Sequence, residues 1–233
     1  MPHAASTALA ASIFVNAGIL IVYIINLLFA QRILRALQPK IGWSRALSIA
    51  FKILYGLIAI SLLLIIVFIV YGSYTLGPSF HNAQLWVLRA ITLYLLIFVA
   101  LPLVIVPLAI LLPRPNNAEH FGEGSMNLKA AIVMTSAALC TILAGFRAGT
   151  TWEPARPISN PAWYHSKAAF YGFNFTIEIL VLSLYTYATR PDKHFHVPNG
   201  SSKRRSYAVP ERLGSESGDE RPENDIEKRG SEV

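Results

Sequence analysis

Cysteine is nearly missing from these 233 residues: there is one, Cys140. A single thiol excludes any disulfide within the chain, and its place inside an apolar run makes it a small buried hydrophobe. Charge is scarce as well. Charged residues make up 14% of the chain against 54% hydrophobic, whereas a soluble chain of this length interrupts its apolar runs more often. Acids are the rarer sign, 13 against 20 Lys and Arg, leaving a net charge of +7. That surplus invites a nucleic-acid reading, but its distribution argues against one. From Arg190 onward the two signs balance at nine each, so the whole excess sits in loops around apolar segments, where membrane topology explains it. Motifs of catalysis are lacking too: there is no nucleophile elbow, phosphate loop, paired-carboxylate site or HExxH. Neither an enzyme nor a cofactor is expected, and no nucleic-acid partner. His194 and His196 stand close together without a Cys or carboxylate cluster beside them, so they are expected to be solvated rather than metal-bound.

What is present is a series of long apolar runs, at about 9–30, 53–74, 88–112, 128–146 and 168–188. Each is near the roughly 20 residues that a helix needs to cross a bilayer core. They predict an all-α fold, a polytopic transmembrane helix bundle over residues 1–198, with membrane lipids as its surroundings. A signal peptide is the rival reading of the first run, but no basic leader precedes it and its apolar part is too long. Arg32 to Gln38 reads either as a short amphipathic helix on a lipid surface or as a solvated basic loop. The second run is almost purely aliphatic and so lipid-facing. Pro102 and Pro107 predict a kink in the third. Ala131, Thr135, Ala138 and Gly145 offer the fourth a small-residue packing face. Residues 199–233 are rich in Gly, Ser, Arg, Glu and Pro, which predicts a disordered cytoplasmic tail.

The fifth run differs from the others because an acid, Glu178, lies near its middle. On a helix, Lys167, Tyr171, Asn174, Glu178 and Tyr185 fall on one narrow stripe, their offsets being close to whole turns. Lipid is a poor solvent for that stripe, so it should face protein or a wet cavity. Ser12, Asn16, Tyr23 and Asn26 form a second polar seam on the first span. Arg147 closes the fourth. Glu178 lies roughly 15 Å below the outer end of its helix and Arg147 at that end, so direct pairing needs tilt or water. Asn16 and Asn174, both roughly 10 Å in, are easier partners. The candidate cavity-lining residues are therefore Glu178, Asn174, Tyr171, Arg147 and Asn16. Two function classes follow. In a transporter or lipid-handling protein these groups line a hydrated cleft for a small amphipathic or lipid ligand; in a receptor-like or interaction protein they only lock helices together. Polar groups from several helices at matching depth around a cavity would mark the first, and paired, dry groups the second.

Lys and Arg orient the bundle. Arg32, Arg35, Lys40, Arg45 and Lys52 follow the first span, and Arg114 and Lys129 flank the third loop. The bias puts these loops and the C-terminus in the cytoplasm and the N-terminus outside. The loop 149–166 then lies outside, with Trp152, Trp163 and Tyr164 at the headgroup level. The basic stretch SKRRSY reads as a positive-inside flank, or as an anionic-lipid patch that phosphorylation of Ser206 would weaken. Two glycosylation sequons, at Asn174 and Asn199, are both expected to stay unmodified, the first inside a span and the second in the cytoplasm.

AASIFVNAGILIVYIINLLFAQRILRA, FRAGTTW and WYHSKAAFYGFNFTIEILVLSLYTYATRPDKHFHVPNG resemble a fungal family of multi-span membrane proteins defined as a domain of unknown function. The resemblance runs to about Ser201 and implies a seven-helix bundle, of which this chain would begin at the third helix. It implies no established activity. FR before an outer loop, aromatics opening the last span and a proline closing it are similar to fungal lipid-translocating exporter-like proteins.

Overall fold

The computed structural model describes residues 2–72, 78–113, 115, 119–154, 162–188, 191–198 and 200–207. Every regular element among them is helical: α1 (Pro2–Leu37), α2 (Arg45–Gly72), α3 (Pro78–Leu111), α4 (Met126–Trp152) and α5 (167–188), with single turns between and after them. Five helices are long and apolar enough to cross a membrane. The chain is thus an all-α bundle suited to membrane insertion.

Burial ranks the helices. In its most apolar stretch α1 is 61% buried, whereas α2 is 17% and α5 22% buried. α1, α3 and α4 pack on one another, α2 leans on α1 and α3, and α5 leans on α4 and α1. The outer face of α2 leaves Ile53, Leu57, Ile60, Leu63 and Val67 exposed, a surface that suits hydrocarbon better than water. α3 continues through Pro102 and Pro107.

Three local expectations need correction. Arg32 to Gln38 is neither a surface helix nor a loop, because α1 runs on to Leu37. Ile33, Leu34, Ala36 and Leu37 are all buried in a cluster with Val106, Ala109, Ala130 and Val133, and a segment apolar on most sides gains most by staying in the core. Its arginines find partners within the protein instead: Arg35 lies over the Trp43 ring, 4.4 Å from its centroid. The chain turns back at Gly42, where a Cβ would come within 2.6 Å of the Arg35 backbone. On α4 the face of Ala131, Thr135 and Ala138 is exposed. The buried seam instead includes Ala130, Val133, Ala137, Cys140, Ala144 and Ala148, which recur at three- and four-residue spacing along one face. In α5, residues Tyr171–Thr176 and Leu184–Ala188 form π-helical turns. Their i→i+5 bonding puts extra residues in a turn, so the expected stripe is split: Asn174 and Tyr185 are buried, Glu178 is half-buried, and Lys167 and Tyr171 are exposed.

The end of the bundle where α1 finishes is closed by chain segments that return to it. Glu119 N–H donates to the Ala36 carbonyl at 2.9 Å, and Glu123 N–H to that of Lys193 at 3.0 Å. Phe195 is fully buried and stacks on Phe29 at 4.0 Å between centroids, while Arg32 donates to its carbonyl at 2.5 Å. His194 is half-buried rather than solvated. Its carbonyl would lie 2.3 Å from a Cβ at Gly122, where φ is +58°, so that tight crossing requires glycine. Residues 200–207, expected in a disordered tail, fold onto this end as a strap. Tyr207 is buried beside Trp43 and Phe121. The Glu119 carboxylate accepts from Ser206 Oγ at 2.6 Å and from Tyr207 N–H at 2.5 Å. Ser206 therefore belongs to a packed contact, not to a free basic flank. Residues 208–233, Arg114 and Asn199 lie outside the described residues.

Candidate functional site

The opposite end carries Trp86, Trp152 and Trp163, all exposed. Arg89 sits over the rings of Trp86 and Trp152, 5.3 and 5.6 Å from their centroids. Aromatic side chains with one wet edge belong at a membrane interface. Phe146 stacks on Phe173 at 4.4 Å and holds the start of α5 against α4.

Just inside this end lies a partly open cleft of about 920 Å³. α2 and α3 supply an apolar wall of Ile65, Ile69, Leu88, Ile91 and Leu95, and α5 adds Phe170 and Phe175. The polar wall is built around Arg147, near the end of α4. Its Nε donates to Asn174 Oδ1 on α5 at 2.8 Å, and Nη1 donates to Asn16 Oδ1 on α1 at 3.1 Å. Asn174 is held in turn by its own amide, which donates to the Phe170 carbonyl at 3.0 Å. Three helices thus meet at one cation through two neutral amides. Tyr23, Thr92, Thr150, Thr151, Lys167 and Tyr171 also line the cleft.

Four of the five residues singled out in the sequence, Asn16, Arg147, Tyr171 and Asn174, lie on this cleft. Glu178 does not. Its Oε1 is 3.3 Å from where a Cβ on Gly18 would be, so the acid packs at the α1–α5 contact, which the missing side chain of Gly18 leaves room for. No hydrogen bond or ion pair joins Glu178 to Arg147 among the described residues. Deeper still is a dry polar chain, in which the Tyr185 hydroxyl donates to Asn26 Oδ1 and Asn26 Nδ2 donates to Cys140 Sγ at 3.2 Å. Asn26 is fully buried.

Sequence reasoning placed Tyr23 on a polar seam but not in the site. It is 2% exposed, lines the cleft, and its buried hydroxyl has no hydrogen-bond partner among the described residues. The signal that could have found it is its offset of seven from Asn16, two turns on the same face of α1. Thr92, Thr150 and Thr151 carried no such signal, since hydroxyls that bond the preceding turn are common in apolar helices; both α4 threonines donate to the Arg147 carbonyl. Among the described residues no group of three or more His, Cys, Asp and Glu could hold a metal ion. Comparison with protein-family models, with curated proteins and with solved structures finds no match to this chain.

Proposed function

We propose that this is an integral membrane protein that transports or otherwise handles a small amphipathic, lipid-like molecule through the cleft at its tryptophan end. One observation carries the reading: Asn16, Arg147 and Asn174, from three helices, converge at one depth on a partly open cleft whose other wall is apolar. An amphipathic molecule matches such a two-sided lining, with its head at the arginine and its chain along Ile65, Ile91 and Leu95. Groups needed only to lock helices would be paired and dry. Those exist here too, at Asn26 and Tyr185, and with Glu178 packed against α1 they favour a second reading of a receptor-like or interaction protein. They lie outside the cleft, and that separation is why transport or lipid handling ranks first. The resemblance to lipid-translocating exporter-like proteins points the same way. The Lys and Arg bias places the tryptophan end outside and the strapped end in the cytoplasm; a glycan on Asn199 would reverse that orientation.

The test is photolabelling of the full chain in bilayer nanodiscs with a diazirine-bearing fatty acid, read by peptide mass spectrometry. Label is expected within 88–95 and 144–151, competed by unlabelled lipid and lost in Ile91→Trp, which fills the cleft. Label confined to the exposed face of α2, and not competed, would overturn the proposal.

A further inference from the structure

The cleft holds more than a polar wall. Two polar groups of that wall, Arg147 and Tyr23, both keep donors unused among the described residues. Arg147 carries five N–H donors, of which two are used, both on neutral amide oxygens. Amides orient a guanidinium without cancelling its charge. No carboxylate forms an ion pair with it among the described residues; Glu178, on the helix beside it and turned to Gly18, offsets its charge only in part and through space. A cation at this depth of an apolar bundle is unfavourable unless something neutralises it. Tyr23 is the second group. Its hydroxyl is buried within the same wall and has no partner among the described residues, which is rare for a buried polar atom. A water molecule would satisfy the hydroxyl, but it would bring no charge to Arg147.

From these two groups we infer that the cleft selects amphipathic molecules with an oxyanion head, a carboxylate or phosphate, bound by Arg147 and Tyr23. This rests on the reading of the cleft as a lipid-handling site and adds the class of ligand. A guanidinium fork is the side chain best matched to a planar or tetrahedral oxyanion, and the phenol supplies a further donor from a different helix. Lys167 lines the same cleft and is exposed, so it adds positive potential at the mouth that draws anions in. The apolar wall binds the chain of the lipid, which a free anion lacks. The acid at Glu178 opposes an anionic head by repulsion through space, so its removal strengthens binding.

The experiment is competition against the photoactivatable fatty acid, using the full chain in phosphatidylcholine nanodiscs. The competitors are oleate, phosphatidic acid, monoolein, and two soluble anions, acetate and inorganic phosphate. Oleate and phosphatidic acid are expected to compete at least about tenfold better than monoolein, with the soluble anions far weaker. Arg147→Gln removes that preference while monoolein still competes, which also reports that the variant is folded. Tyr23→Phe keeps the packing and weakens the anionic lipids by about three- to tenfold, and Glu178→Gln tightens them. Equal competition by monoolein and oleate, or an unchanged preference in both Arg147→Gln and Tyr23→Phe, overturns the inference and leaves the lipid-handling reading standing. Competition by phosphate or acetate as strong as by the lipids overturns the lipid source of the head group. Absence of competition by every lipid removes both.

Discussion

At the strapped end Lys129 is buried, 1% exposed, and its ammonium donates to the Phe121 carbonyl while lying 4.6 Å from the centre of that residue's ring. At the tryptophan end Arg147, also placed inside the bundle, leans on two amides beside an open cleft. The first cation is enclosed by its own chain: Phe121 gives it a carbonyl and a ring face, and Glu119 ties the strap over the same end. The second borders open space. A buried charge that the fold encloses is architecture, whereas one beside a cleft is where the proposed ligand would bind. The same contrast holds between two tyrosines. Tyr185 spends its hydroxyl on Asn26, and Tyr23 has no partner for its own among the described residues.

The harshest way to break this contrast is at Lys129. Lys129→Glu would set an acid against the Phe121 carbonyl in a buried site and is expected to destabilise the bundle by about 3–5 kcal/mol, whereas Lys129→Met stays near neutral. Thermal unfolding can be followed by the reactivity of Cys140, the sole thiol in the chain and a buried one. Equal melting of the two variants would mean that the closure of this end does not depend on that pairing. The tyrosines sharpen the comparison. Tyr185→Phe leaves Asn26 Oδ1 unpaired and is expected to lower stability by about 1–3 kcal/mol. Tyr23→Phe removes a hydroxyl with no partner among the described residues, so its melting temperature is expected to stay the same or rise even as anionic lipids bind less well. A loss of stability as large as that of Tyr185→Phe would show that Tyr23 is structural. The mildest change is at the strap. Ser206→Asp places a second negative charge against Glu119 and should release residues 200–207, seen as faster tryptic cleavage after Arg204 and Arg205 with the bundle's melting nearly unchanged. Cleavage at the wild-type rate would show that the contact with Glu119 does not hold the strap.

Long apolar runs were legible because membrane insertion demands them within each helix, and so the five helices could be read locally. The depth argument that made Asn16 and Asn174 easy partners was also local, resting only on helical rise. What escaped depends on contacts between distant residues. Nothing near Arg32 shows that Val106 and Val133 will cover the next turn and carry α1 on to Leu37. The spacing of Lys167, Tyr171, Asn174 and Glu178 assumes 3.6 residues per turn, and wide turns at Tyr171–Thr176 break that assumption without any local mark such as proline. Residues 200–207 have a composition suited to disorder, yet Tyr207 alone, one aromatic among charges, finds a slot between Trp43 and Phe121. Tyr23 was visible as a polar position, but only the fold shows that no described residue meets its hydroxyl.

The strap also fixes an order of events during synthesis. Arg32 and the Phe195 carbonyl are 163 positions apart, and Glu119 and the Tyr207 amide 88 apart. α1 leaves the ribosome long before its partners exist, and chains fold from the N-terminal side as they emerge. At that stage Arg32, Phe29 and the end of α1 stand uncovered at the membrane surface, and Lys129 enters beside a loop that nothing yet holds down. The bundle can therefore gather its spans early but can only be sealed late, by the residues translated after α5. A nascent chain halted before Phe195 would expose this end to chaperones and quality-control proteases, while every helix of its tryptophan end, α5 included, had already been made.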